Sequence, residues 1–374
     1  MKYLVSLLSL VLSLAAWAEP PTEMPKSNLS IDEREVLAAT YMGYIQRKTG
    51  YFSYEFDFVT GEWSRADELV RQAGASYGLS EYLLTHNDLI TKSVVEKAIK
   101  AYRLNTIPYK QGKLLTDNKD LKKAETGATA LALIGALQYA RATGDRQFDA
   151  DIQGWKDGLV ALYHPNGGFA GGATDPEESS YFNGETWLAL AVYVETYPND
   201  EKIKSIMPAI DTALMKLYSE HPDIGFFHWG LMATARRYEQ TKDQKFIDFG
   251  AQQVSNFLTE MRPGFDEEVN SCYSVEGMSV VLPVLQKNPK NAALATRLLT
   301  RVRQEMAKNI AMQITPDQKS LTLIGGRTLI APEITRYAGA FINGLDRPQI
   351  RIDFTQHCLS AMIKSERFLK DDQK

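Results

Sequence analysis

The chain has few cysteines, few histidines and little surplus charge. Its 374 residues contain Cys 2 and His 5, and the formal net charge is −4. Cys272 and Cys358 are the only thiols, so a disulfide-dense scaffold is excluded. No Cys or His pair stands at metal-ligand spacing, so no metal and no cofactor is expected. The charge balance supplies no global basic field, which sets nucleic acid aside as a partner. Long apolar runs are also missing. The run Tyr3 to Leu14 is too short to span a bilayer comfortably, and no later segment has about 18 uninterrupted apolar residues.

What is present is the composition of a folded protein: 44% hydrophobic, 24% charged and 10% aromatic residues. At the N-terminus Lys2 precedes the apolar run. Ala16-Trp17-Ala18 follows as a small-x-small site, and Glu19-Pro20-Pro21 comes next. This pattern reads as a secretory signal peptide over residues 1–18, cleaved after Ala18. Residues 19–29 then form an N-terminal extension and 30–374 one domain. The expected location is periplasmic or secreted, with no integral membrane segment in the mature chain. Export permits a Cys272–Cys358 disulfide, but two cysteines so far apart do not demand one.

Helical periodicity dominates the remainder. A unit recurs: an apolar helix, a short polar turn, an amphipathic helix and a loop. In the clearest copy, Thr126 to Tyr139 is apolar on every side and Thr143-Gly144-Asp145 turns the chain. Phe148, Ile152, Trp155 and Leu159 then repeat on one face only. Further pairs are Ala73–Leu84 with Ser93–Leu104, and Glu185–Glu195 with Ile203–Leu217. Trp229–Tyr238 pairs with Phe246–Met261, and Ser274–Leu285 with Ala292–Met312. The first helix, Glu33–Lys48, lacks an upstream partner, and the last, Phe354–Phe368, a downstream one. Joining those two gives six hairpins at a period of roughly 40–60 residues, the range of helical repeats. Alternation of wholly apolar and amphipathic helices favours a closed ring over an open solenoid. The expected fold is therefore all-α, an (α/α)6 toroid. Two β-hairpins should decorate it, one turning at Thr60-Gly61 and one at Gly325-Gly326.

In such a ring the inner helices run the same way, so their N-terminal ends share one face. Reading those ends collects Arg71, Glu125, Glu185, His228, Trp229, Tyr273, Glu276, Arg351, Asp353 and His357. Several carboxylates in one cleft divide into acid and base when their environments separate their pKa values. That division is what cleavage of a glycosidic bond requires. On this basis Glu185 with Glu125, Glu276 or Asp353 would be the catalytic carboxylates, and Arg71 and His228 would orient the substrate. Tyr181, Phe227 and Trp229 would offer stacking surfaces for sugar rings, beside Tyr273 and Arg351. An alternative chemistry uses His228 or Tyr273 as a base next to a uronate carboxyl held by Arg71 or Arg351, as in a lyase or epimerase. Blander assignments stand beside these. A Glu in a first helical turn is favoured by the helix dipole alone. His228 and His357 could be satisfied core residues. Arg347, Arg351 and Asp353 could form a plain ion-pair cluster.

The repeated hairpins resemble the six-hairpin glycosidase-like toroids. So do "NGGF" at Asn166 to Phe169 and the "RQAG", "NGE" and "HW" stretches at inner-helix starts. The resemblance is to a poorly characterised exported branch. It implies a carbohydrate-active enzyme acting on an oligo- or polysaccharide, with the envelope polysaccharide machinery as an expected partner. A non-catalytic glycan- or partner-binding protein is the rival from another class.

Overall fold

The computed structural model describes residues 28–369, apart from 166, 323–325, 327, 331–332 and 345. The signal-peptide segment, most of the expected extension, Asn166 and part of the Gly325-Gly326 turn lie outside the described residues.

Six helices that are buried around most of their circumference form the inner ring. They are α2 (Leu69–Tyr82), α4 (Thr126–Thr143), α6 (Ser180–Thr196), α8 (Ile224–Thr241), α10 (Cys272–Leu285) and α12 (Ile352–Leu369). Each packs on the next, and α12 closes back on α2. The one-sided helices cover them from outside: α1 (Ile31–Tyr44), α3 (Leu89–Leu104), α5 (Asp149–Val160), α7 (Glu201–Glu220), α9 (Gln244–Asn256) and α11 (Ala292–Ala311). In α7 the buried residues Ile203, Met207, Ile210, Leu214 and Tyr218 recur at helical spacing. The orphan terminal helices α1 and α12 pack together, as the repeat pattern requires. The fold is the (α/α)6 toroid.

Short local signals set the helix ends. Ser30 and Glu33 form a reciprocal capping box on α1. Gly144 adopts the left-handed conformation (φ 72°) that ends α4. Several inner helices start earlier than the sequence pattern predicts, α6 and α8 by the most. The Asn183-Gly184 pair reads as a helix breaker, yet both residues lie inside α6. A side chain at Gly184 would stand 2.6 Å from Trp229 Cβ. The close α6–α8 contact therefore requires glycine there, and packing overrides intrinsic propensity. Likewise Asp223 caps α8 and extends it to Ile224, ahead of the expected start at Trp229.

Both expected β-hairpins are present. β1 (Glu55–Asp57) pairs with β2 (Glu62–Trp63) through Phe56 opposite Trp63. A second hairpin, β3 (Thr106–Tyr109) with β4 (Gly112–Leu115), is an addition to the expectation. The other expected one is β5 (Ser320–Thr322) with β6 (Thr328–Ile330). β1 also pairs with β7 (Gln349–Arg351), opposing Glu55 to Arg351 immediately before α12. This three-stranded sheet ties the first hairpin to the last inner helix at the rim where the inner helices begin. Cys272 and Cys358 form a disulfide across 86 positions, joining α10 to α12 near that same rim.

Candidate active site

The N-terminal ends of the inner helices enclose one funnel with a cavity volume of 1250 Å3. Arg71, Glu125, Tyr181, Glu185, His228, Trp229, Tyr273, Arg351, Asp353 and His357 all line it. They come from all six inner helices or the loops that lead into them. The toroid thus brings together groups that are scattered over the length of the chain.

The three glutamates occupy different environments, and in none is helix capping the evident role. Because α6 begins at Ser180, Glu185 sits in its second turn rather than at its mouth. It is 3% exposed, and its Oε2 has no hydrogen-bond partner. Burial pushes its carboxyl well above the usual value of 4.5, and the nearby Glu125 carboxylate adds to the rise. Glu125 is the N-cap residue of α4, yet its side chain makes no capping hydrogen bond. It is half-buried. Its carboxyl is raised by desolvation, with Glu68 and Asp117 contributing. Glu276 lies beyond the first turn of α10 and is fully buried. One of its oxygens meets His357 Nδ1 at 2.9 Å, and the other has no partner.

Gly127 explains how Glu185 reaches its position. A β-carbon at that residue would stand 2.3 Å from Glu185 Oε2 and 2.4 Å from the Phe182 ring. The missing side chain on α4 makes the space that the α6 carboxyl occupies.

The two histidines face each other from α8 and α12, with ring centroids 5.6 Å apart. His228 is buried, and neither ring nitrogen has a partner. Burial, reinforced by His357, lowers its pKa well below 6.5, so its imidazole is neutral. Trp229 and Tyr273 flank it at 4.7 and 5.3 Å between ring centroids.

Other expected residues are occupied differently. Asp353 is bound by Arg351 at 2.6 and 2.9 Å and by Arg71 at 3.1 Å. It is an ion-pair centre rather than a free carboxylate, because two guanidiniums occupy its oxygens. Arg71 also pairs with Glu68 and donates to Tyr54 Oη. Arg347 stands apart from this cluster and pairs with Asp346 at 3.7 Å. Phe227 does not line the funnel. It is fully buried and stacks on Phe257 at 4.2 Å, because its position on α8 points outward to the second ring. Tyr181, at 49% exposure, is the open aromatic at the rim.

Sequence reasoning places Phe182 among the aromatics at the mouth, where it does line the funnel, but misses Gln356 and Arg262. Gln356 adjoins a predicted position and follows once the helix starts are corrected. Arg262 stacks over the Tyr273 ring at 5.2 Å. It follows the wide helical turn Phe257–Met261 that ends α9, so no inner-helix pattern marks it.

Ring closure, helix order and a polar funnel at the inner N-termini define the architecture, an (α/α)6 toroid. No protein-family model and no curated protein matches the chain. Similar solved structures include enzymes. The alpha-1,6-mannanase GH76A of Salegentibacter sp. HEL1_6 matches with TM-score 0.65 and 10% identity, over 91% of this chain and 100% of that one. An unsaturated glucuronyl hydrolase specific for heparin matches with TM-score 0.60 and 11% identity, over 92% and 99%. A sugar epimerase from a ruminal bacterium matches with TM-score 0.58 and 13% identity, over 90% and 98%.

Proposed function

We propose that the protein is an exported glycoside hydrolase in which Glu185 is the general acid and Glu125 the second carboxylate. One observation carries this reading. Glu185 is a buried, unpartnered carboxyl in a funnel wall, its pKa raised well above the usual value by burial, with a second, more accessible carboxylate nearby. A glycosidic oxygen needs a proton as the bond breaks, and a carboxyl kept neutral near pH 7 can deliver it. Glu125 ionises more readily, since it is only half-buried, and it serves as base or nucleophile on the sugar. Arg71 and Arg351, held in place by Asp353, Glu68 and Glu55, would offer guanidinium N–H donors to substrate hydroxyls at the funnel wall. Tyr181 and Trp229 give the sugar rings apolar surface. Two of the similar toroids are glycan hydrolases, and a variant of the mannanase lacking two aspartates is inactive and was captured with alpha-1,6-mannotetrose. Carboxylate chemistry on this architecture is therefore precedented. The N-terminal segment and the Cys272–Cys358 bridge support an oxidising compartment outside the cytoplasm, where envelope or extracellular polysaccharide is the substrate.

The test is a glycan panel read for two products, new reducing ends and the unsaturated-uronate chromophore. Reducing ends without the chromophore, lost in Glu185→Gln, support hydrolysis. Full turnover by Glu185→Gln removes Glu185 from the chemistry.

A second reading rests on the histidine pair. A neutral imidazole at His228, opposite a carboxylate-held imidazole at His357, can take a proton from a sugar carbon and return one. Chromophore formation or inversion at a ring carbon, lost in His228→Asn but kept in Glu185→Gln, would favour this lyase or epimerase chemistry.

A further inference from the structure

Three polar atoms stand unpartnered in one small volume of the funnel floor: Nδ1 and Nε2 of His228 and Oε1 of Glu276. Both residues are almost wholly buried. Buried polar groups are nearly always paired, and each that is not calls for an explanation. The His357–Glu276 hydrogen bond satisfies one carboxylate oxygen and one ring nitrogen. It leaves the other three atoms unexplained.

The geometry points to a divalent metal site formed by His228, Glu276 and His357. One ligand atom from each residue lies within 4.8 Å of the other two. Tetrahedral ligands of one ion at about 2.1 Å stand about 3.4 Å apart, so the three side chains need to close by up to roughly 1.4 Å. Two imidazoles and one carboxylate suit a first-row transition ion of the zinc class, and the carboxylate supplies negative charge in a buried place. The set lacks the many oxygen donors that calcium requires.

The scaffold holds these three side chains firmly. They project from α8, α10 and α12, which are consecutive in the ring. Gly277 lets α10 close on α8, for a β-carbon there would meet His228 Cα at 2.8 Å. The disulfide joins Cys272, one turn before Glu276, to Cys358, the neighbour of His357. The site thus lies on rigid elements that are cross-linked beside it. His228 and His357 line the cavity, which leaves the open coordination side toward the funnel. A water or a sugar oxygen would complete the shell there. No ligand pair comes from one helix, so sequence spacing carries no trace of the site. Glu185 and Glu125 are not among the ligands, and the inference stands apart from the carboxylate chemistry proposed above.

The test is a titration of the untagged, chelator-stripped full chain with Co2+, followed by visible absorption and displacement by Zn2+. The expected result is one saturable equivalent with d–d bands that zinc abolishes. His357→Gln and Glu276→Gln should each weaken binding by more than the about 10–100-fold that loss of a supporting partner causes. Glu185→Gln, in the same funnel, should bind as the wild type does. Absence of saturable binding by folded wild type, or unchanged binding by His357→Gln, overturns the site. Where a ligand variant fails to fold, imidazole 15N spectra of the wild type decide. Zinc should shift two histidines, and any other pattern overturns the assignment. The readout is binding, so it holds whether or not glycan cleavage is found.

Discussion

Replacing Glu185 with glutamine should make the protein more stable, by an amount that grows with pH. The folded-state carboxyl is raised well above 4.5 by burial. In the unfolded chain the same group ionises near 4.5, so above that pH unfolding releases a proton. A raised acid therefore contributes most favourably below the unfolded value, and that contribution is lost as pH rises to the folded value. Within this window the wild type loses about 1.36 kcal/mol per pH unit through this residue. The substituted glutamine has nothing to ionise and keeps nearly the same shape. With an unfolding entropy of about 2.1 cal/mol/K per residue over roughly 340 residues, 1 kcal/mol corresponds to about 1.4 °C. The variant should thus gain on the wild type by about 2 °C in Tm per pH unit above 4.5, until the window closes. Calorimetric melts of both proteins from about pH 4 to about pH 8 measure the difference directly. Titrating groups other than Glu125, which is coupled to Glu185, are shared and cancel. A Tm difference that stays constant over this range would refute the protonated, buried state of Glu185 and, with it, the acid role.

Three further outcomes follow from the packing. Replacing both cysteines by alanine removes a cross-link that closes 86 positions. In the chain-entropy model that costs about 4.6 kcal/mol, or roughly 6 °C in Tm, and an unchanged melt would contradict the bridge. Asp211, 1% exposed, accepts hydrogen bonds from Trp187 Nε1 at 2.8 Å and from Arg237 at 2.8 Å. Asp211→Ala leaves the buried guanidinium without its carboxylate and should cost about 3–5 kcal/mol by denaturant unfolding, with a loss under 1 kcal/mol counting against this pairing. Gly127→Ala puts a methyl group against Glu185 and Phe182. It should cost about 1–3 kcal/mol of stability and lower kcat by about 100-fold, so unchanged kinetics would show that the α4–α6 contact does not set the position of the acid.

The ring was legible because burial on all sides and burial on one side leave different apolar patterns. Thr126 to Tyr139 and the stripe Phe148, Ile152, Trp155 and Leu159 differ in this way, and α4 and α5 take inner and outer places accordingly. The shared direction of the inner helices then placed Glu185, Glu125 and His228 on one funnel. Helix starts were less legible, because Gly184 reads locally as a breaker and acts as a contact with Trp229. Phe227 was misplaced for the same reason: a shift in the start of α8 changes which face a residue presents. Asp353 read both as a catalytic carboxylate and as an ion-pair partner of Arg351; the second guanidinium that favours the ion pair, Arg71, comes from 282 positions away. The third hairpin, β3–β4, has no period-2 apolar alternation to announce it. The His228–Glu276–His357 cluster exists only when three helices are assembled.

The central claim is that Glu185 delivers a proton to a glycosidic oxygen. The direct measurement compares Glu185→Gln with wild type on a cleaved glycan and on an aryl glycoside of the same sugar. An aryl leaving group departs without protonation, so it has little need of a general acid. The account predicts a loss of about 100- to 10,000-fold in kcat on the glycan and a far smaller loss on the aryl glycoside. Equal losses on both substrates, or no loss on the glycan, would contradict it.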